Sequence, residues 1–274
     1  MTGTNLDSLS ALRWLVDAGA DEAIGEHAID RFAPPTLRET VKSPPMPVRE
    51  RVQIAAPKNT SPPPPTAQAN GDDAIGEAQH VARSCNTLAD LRAALEGFEG
   101  SQLKKNAKRT VFADGNPASR ILLIGEAPGR DEDREGLPFV GRAGKLLDLM
   151  LAAIGLGRSS VYITNVMPWR PPDNRNPEAT EVAICLPFLR RHIELAAPRI
   201  MMLLGSTSLR HVLGNAEGIL RNRGRWMEYR VGEENIPVMP TLHPAYLLRE
   251  PAHKKLAWRD LQSFAEKIEQ MKLR

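Results

Sequence analysis

Three side chains with chemistry to offer each come within two residues of the end of a short apolar run. Glu126 follows residues 121–124, Asn165 follows 161–164 and His243 follows 238–242. A carboxylate can orient or activate water, and a carboxamide can donate and accept hydrogen bonds at once. An imidazole can donate a hydrogen bond toward negative charge as it develops. Singly, each residue reads as a cap of a helix or turn. Converging on one rim, the three make a site.

The apolar runs are what must bring them together. Residues 121–124, 161–164, 200–204 and 238–242 read as strands, each followed by a polar or glycine-bearing turn. Helical patterns at 144–154, 178–195 and 206–213 fit between them, and a last one covers 254–271. Strands alternating with helices predict an α/β fold: a central parallel four-stranded sheet with helices on both faces. Ligands of such sheets bind beyond the carboxyl ends of the strands. That rule puts Gly125, Glu126 and Ala127, then Asn165, then Gly205 and Ser206, then His243 on one rim. Pro240 predicts that the last strand lies at an edge or ends early.

Upstream the pattern changes. Residues 6–20 carry Leu6, Leu9, Leu12, Leu15 and Val16 at helical spacing, whereas 34–66 contain ten prolines. Such a stretch builds no core. The expected organisation is an N-terminal helical segment at 1–33, a proline-rich linker at 34–74 and a catalytic domain at 75–274. Within the last, 78–97 reads as one or two helices. The N-terminal helix is expected to dock on the body or bind a partner protein.

The net charge is only +3, but it is unevenly spread. Residues 1–80 hold 7 Lys/Arg against 11 Asp/Glu, and the remainder holds 29 against 22. A basic body suits a polyanion. Cys85 and Cys185 are the two cysteines and form no CxxC, which excludes a disulfide scaffold or a four-thiolate centre. A reducing cytoplasm is the expected setting. No signal peptide and no membrane span are expected, because Asp7 and Asp17 interrupt the N-terminal apolar residues. Residues 140–146 look like the end of a phosphate-binding loop, but Phe139 replaces its first glycine and Leu146 the magnesium-holding hydroxyl. A nucleotide hydrolase is therefore disfavoured.

Three ordered motifs resemble those of family 4 uracil-DNA glycosylases. The first is Gly125-Glu126-Ala127-Pro128-Gly129, then Glu132-Asp133, then Pro138-Phe139-Val140-Gly141-Arg142-Ala143-Gly144. The second is Ile163-Thr164-Asn165 with Arg170-Pro171-Pro172 and Asn174-Arg175. The third is His243-Pro244-Ala245-Tyr246-Leu247-Leu248-Arg249. The resemblance spans roughly residues 85–265. That family binds a four-iron cluster through four cysteines. Here Phe98, Ser101 and Trp169 stand at three of those positions and only Cys185 remains. One thiolate cannot hold a cubane, so the expectation is no iron–sulfur cluster and no other cofactor, with Phe98 and Trp169 packing the vacated space.

The resemblance implies hydrolysis of the bond between uracil and deoxyribose, after the base has left the stack. It implies catalytic roles for Glu126, Glu132 and His243, and a uracil pocket of Gly125, Ala127, Phe139, Asn165 and Asn174. Phe139 would stack on the base. Asn165 would accept from N3–H and donate to O4, a pattern cytosine reverses. Glu132 would crowd C5 against thymine, and Asn174 would order a loop. DNA contacts are expected from Arg142, Lys145, Arg175, Ser206, Tyr246, Leu247, Leu248 and Arg249, with Tyr246 to Arg249 as the wedge. The basic stretch 221–225 resembles a hairpin edge. The implied partner is uracil-containing DNA, single- or double-stranded, bound by a monomer in a bacterial cytosol or nucleoid. A second reading is a relative that binds or traps uracil-DNA with little turnover. It is disfavoured because no basic insertion separates Phe139 from the helix beginning near Gly144. A third is a partner-binding protein with a dead catalytic body, disfavoured by Glu126, Asn165 and His243.

Overall fold

The structure, a computed structural model, describes residues 66–273. They belong to the second of two compact units, residues 62–274. The N-terminal segment at 1–33 and the prolines up to 65 lie outside the described residues. The described residues begin with α1 (Thr66–Ser84), α2 (Leu88–Gly97) and α3 (Gln102–Asn106). The pattern at 78–97 is thus two helices, and the first starts at Thr66, inside the stretch expected to be linker. Thr87 separates them: its hydroxyl accepts from the Asp90 amide while Asp90 accepts from the Thr87 amide, so each satisfies one of the helix's open donors.

Six strands follow: β1 (Asp114–Gly115), β2 (Ile121–Gly125), β3 (Tyr162–Asn165), β4 (Ile200–Leu204), β5 (Met227–Val231) and β6 (Glu234–Thr241). Their order across the sheet is β1-β3-β2-β4-β6-β5. The expected parallel set is present as β3-β2-β4-β6. The sheet as a whole is mixed, because β1 and β5 add antiparallel edges. This corrects the purely parallel expectation. The physical reason is local: the Gly232 turn, at φ 57°, folds β5 back onto β6 as a hairpin. Pro240 is not on an edge strand, since β6 pairs with both β4 and β5. The β5 pairing nevertheless stops at Val238, so Pro240 lies past the hairpin, where its missing N–H costs little.

β2, β3 and β4 are buried along their whole length, as expected for strands covered on both faces. Alternation divides their side chains. Leu122, Ile124, Met201 and Leu203 join α1, α2 and α6 (Ala179–Ala196) in one cluster. Ile121, Leu123, Met202 and Leu204 join α5 (Arg142–Ala152) and α10 (Lys254–Gln270) in the other. The spacing of α10 explains its position: Ala257, Leu261, Phe264 and Ile268 form one buried stripe. The short helices α4 (Arg130–Glu135), α7 (Ser206–Leu213), α8 (Ile219–Asn222) and α9 (Pro244–Arg249) sit at or near the carboxyl end of the sheet. The chain goes from β2 to β3 on one side and returns to β4 on the other, so the ligand-binding switch point falls at β2.

Candidate active site

Strand register builds the rim. Gly125 pairs with Asn165 across β2 and β3, and Leu204 pairs with Thr241 across β4 and β6. The Gly205 amide donates to the Thr241 carbonyl at 2.9 Å. Glu126, Asn165 and His243 therefore leave the sheet at one level. Above them lies a cleft of about 380 Å³, lined by Glu126 to Gly129, Pro171, Asn174 to Asn176, Gly205, Ser206, Ile219, Leu242, His243, Ala245, Tyr246 and Arg249.

Gly125 is glycine because of close approach. A Cβ there would lie 2.4 Å from Asn165 Oδ1 and 2.5 Å from the Phe139 ring. Its absence lets both side chains close over the end of β2. Gly205, at φ 95°, does the same for His243, whose Cβ is 3.0 Å from where a side chain would begin.

Asn165 is buried, and among the described residues none donates to its Oδ1. A buried acceptor left open costs about 1–3 kcal/mol, which makes this strand-end oxygen a candidate acceptor for a ligand N–H. Phe139 is also buried. Its ring meets that of His243 at 5.6 Å and 29°. Its backbone is left-handed, φ 56°, which a bulky residue adopts only when its surroundings impose it. Phe139 and Asn165 are not walls of the open cleft; both pack over Gly125, and Phe139 also meets His243, which is one of its walls.

His243 caps α9: its Nδ1 accepts from the Ala245 amide at 3.1 Å. Burial, and secondarily the charge of Arg249, pushes its pKa down to about 4. At neutral pH the ring is uncharged with Nδ1 occupied as an acceptor, so Nε2 carries the proton and is the donor. This is the state needed to stabilise an oxyanion without giving up a proton.

Glu132 has a different geometry from the one its motif suggests. One carboxylate oxygen accepts from the Gly129 amide at 3.1 Å and the other from the Gly141 amide at 2.8 Å. It ties the turn after β2 to the turn before α5 and does not line the cleft. Asn174, at φ 53°, accepts from Arg170 Nε at 2.8 Å and does line it. Arg175 lines the cleft too, but its guanidinium is engaged by both oxygens of Glu181. Ser206, Tyr246 and Arg249 are cleft residues, whereas Arg142 and Lys145 are exposed on α5 outside it. Leu247 is corrected: it is 1% exposed, packed in the core of α5 and α10, and cannot face DNA. Leu248 is 38% exposed and takes the position at the surface. Pro128, Gly129 and Ala245, which stand within the first and third motifs, line the cleft as well, and so do Asn176, Ile219 and Leu242, which sequence reasoning does not single out. Asn176 and Ile219 give no signal in the sequence.

The positions that would hold an iron–sulfur cluster do not fit one. Phe98 stacks on Trp169 at 6.4 Å and meets Phe188 edge-on at 5.1 Å. Trp169 is fully buried with its indole N–H on Thr110 Oγ1 at 3.0 Å. Ser101 is buried, and its hydroxyl has no partner among the described residues. Cys185 is fully buried; desolvation, then the charge of Glu181, pushes its thiol well above the usual range. Among the described residues no group of three or more His, Cys, Asp or Glu could hold a metal ion. No described helix is long and apolar enough to cross a membrane.

Residues 112–262 match the family model of the uracil DNA glycosylase superfamily. The chain is 41% identical over 170 residues to a type-4 uracil-DNA glycosylase of Sulfurisphaera tokodaii, covering 60% of this chain and 76% of that protein. It is 40% identical over 172 residues to the type-4 enzyme of Saccharolobus solfataricus, covering 61% and 80%. With the type-4 enzyme of Thermotoga maritima it shares 41% over 153 residues, covering 56% and 78%.

Proposed function

This chain belongs to the uracil DNA glycosylase superfamily, and from that premise we propose how its rim carries out the reaction of a uracil-DNA glycosylase. The activity is hydrolytic: the N-glycosidic bond of a flipped-out uracil is cleaved and an abasic site remains. The observation that carries the assignment to this rim is the open Oδ1 of Asn165. Uracil N3–H fills it, and the Asn165 amide donates to O4. Cytosine offers a lone pair at N3 and an amine at C4, so it leaves both groups unsatisfied.

Phe139 stacks on the base. His243 donates from Nε2 to O2 and stabilises the uracil anion as the bond breaks. Glu126, half-buried in the cleft wall, orients water toward the sugar carbon and balances its positive character. Ala127, beside it, supplies no polar side chain. Glu132 acts through the two turns it joins and is a positioning residue. Asn174 holds the loop after Pro171. DNA phosphates meet Arg249, Ser206, Arg175, Arg142 and Lys145, Tyr246 flanks the gap, and Leu248 fills the space the base has left. The body holds no iron–sulfur cluster; aromatic packing takes its place. The enzyme works as a monomer in a reducing cytoplasm, on single- or double-stranded DNA.

The test is cleavage of oligonucleotides carrying one U, T, C or hypoxanthine, single-stranded or opposite G or A, followed by alkali. Cutting at U and not at C is expected. No cutting at any U would overturn the assignment. For the cluster, purified protein should be colourless with no thiolate-to-iron absorbance.

A further inference from the structure

The left-handed backbone of Phe139 needs something to hold it. α5 presses from one side: a Cβ on Gly144 would lie 1.6 Å from the Phe139 carbonyl oxygen, so only glycine admits that carbonyl over the first turn of the helix. From the other side comes a single side chain, Arg158, in the short turn Arg158–Ser160 before β3. Its Nη2 donates to the Phe139 carbonyl and its Nη1 to the Pro138 carbonyl at 3.1 Å. The same guanidinium is braced by Asp148 on α5, at 2.8 Å from Nε, and by Asp114 on β1, at 2.5 Å from Nη1. Arg158 is part-buried and does not line the cleft.

We propose that Arg158 is a positioning residue for base recognition: by gripping the carbonyls of Pro138 and Phe139 it locks Phe139 in the left-handed conformation that presents its ring to the flipped base. This rests on the reading of Phe139 as the stacking ring. The guanidinium suits the task because its planar fork reaches two carbonyls and two carboxylates at once, which an ammonium cannot do with comparable geometry. A residue at φ 56° relaxes toward negative φ when released. That rotation swings the ring off the end of β2, where Gly125 had made room for it. Precise placement of binding groups is worth orders of magnitude in rate.

The experiment is a double-mutant cycle on the full chain, with single-turnover uracil release and thermal melting measured for each protein. Phe139→Ala should slow release by about 100-fold. Arg158→Gln should slow it by about 10- to 100-fold, with Arg158→Lys recovering part of the loss. Added to Phe139→Ala, Arg158→Gln should cost nothing further in rate, because the ring it positions is gone. If the two losses multiply, Arg158 does not act through Phe139 and the proposal fails. If Phe139→Ala alone is fast, it is the stacking reading that fails. Should Arg158→Gln fold poorly, Arg158→Lys run through the same cycle separates the same two outcomes.

Discussion

Two buried places in this domain stand opposite in character. At the rim, Asn165 keeps an acceptor open, Phe139 is held at positive φ and His243 is kept uncharged against its ordinary pKa. At the plug formed by Phe98, Trp169, Phe188 and Cys185, nearly everything is already satisfied by contact between apolar groups, and only the Ser101 hydroxyl lacks a partner. The first place stores cost that, on the proposed function, a bound base relieves. The second is filled by aromatic packing, which contributes to stability through contact alone.

The comparison breaks most sharply at Asn165. Asn165→Ala should lower uracil release by about 100-fold or more, since a site built to hydrogen-bond its substrate depends on that pair. Melting should stay close to wild type, because the lost packing is offset by removing a buried acceptor that had no donor. A variant that melts far lower but retains its activity would show Asn165 to be a structural residue, and the rim would lose its distinction from the plug.

The plug should behave in the reverse way. Trp169→Ala removes a fully buried side chain and its hydrogen bond to Thr110. The expected loss is about 3–5 kcal/mol of stability, measured by urea unfolding, while the fraction still folded turns over as before. Strong loss of turnover at unchanged stability would mean that the plug belongs to the active site after all.

Acid should erode the domain through two buried histidines, His243 at the rim and His192, which stacks on Phe112 and shares a hydrogen bond with the Tyr162 hydroxyl. Burial pushes His192 on α6 down to about 3, and burial with Arg249 pushes His243 down to about 4. Both are neutral when folded and titrate near 6.5 when unfolded. The unfolded chain therefore binds more protons below that value. Their contribution is complete above about pH 6.5 and is lost as pH falls through 6.5 toward 4, by about 1.4 kcal/mol per pH unit for each histidine. Urea midpoints across that window test this, and His243→Gln should flatten the slope. A wild-type slope no steeper than that of the variant would show that His243 is not held neutral by the fold.

Much of this architecture is legible in the sequence. Residues 200–204 are β4 as expected, and β2 and β3 differ from their apolar runs chiefly by including Gly125 and Asn165. These strands are buried on both faces, so their composition is unambiguous. β5 escapes sequence reasoning because one face is wet: Met227, Tyr229 and Val231 are half-buried while Glu228 and Arg230 are exposed. Its period-2 signal is present but short. At the rim, residues directly after strands are legible, because a strand's end is a fixed point. Phe139 depends on motif resemblance, since a helix and a turn separate it from β2. Arg158 carries no signal, because its role depends on which carbonyls the fold brings to it. Ile219 and Asn176 enter the cleft by tertiary packing alone.

The smallest effect tests the finest distinction. Helix α9 starts directly after His243, and its two leucines are neighbours in sequence, yet Leu247 is buried and Leu248 is exposed. A helix turns about 100° per residue, so adjacent side chains cannot share a face. Sequence cannot say which points to the core; the packing of α9 on α5 and α10 decides it. Leu247→Ala should cost about 2–5 kcal/mol of stability. Leu248→Ala should shift stability by no more than about 0.5 kcal/mol. Its effect belongs to the extruded state: affinity for uracil-containing duplex falls severalfold, while binding to a single strand, where no stack must be held open, barely changes. Equal losses on duplex and single strand would remove Leu248 from the gap and leave the wedge to Tyr246 and Arg249.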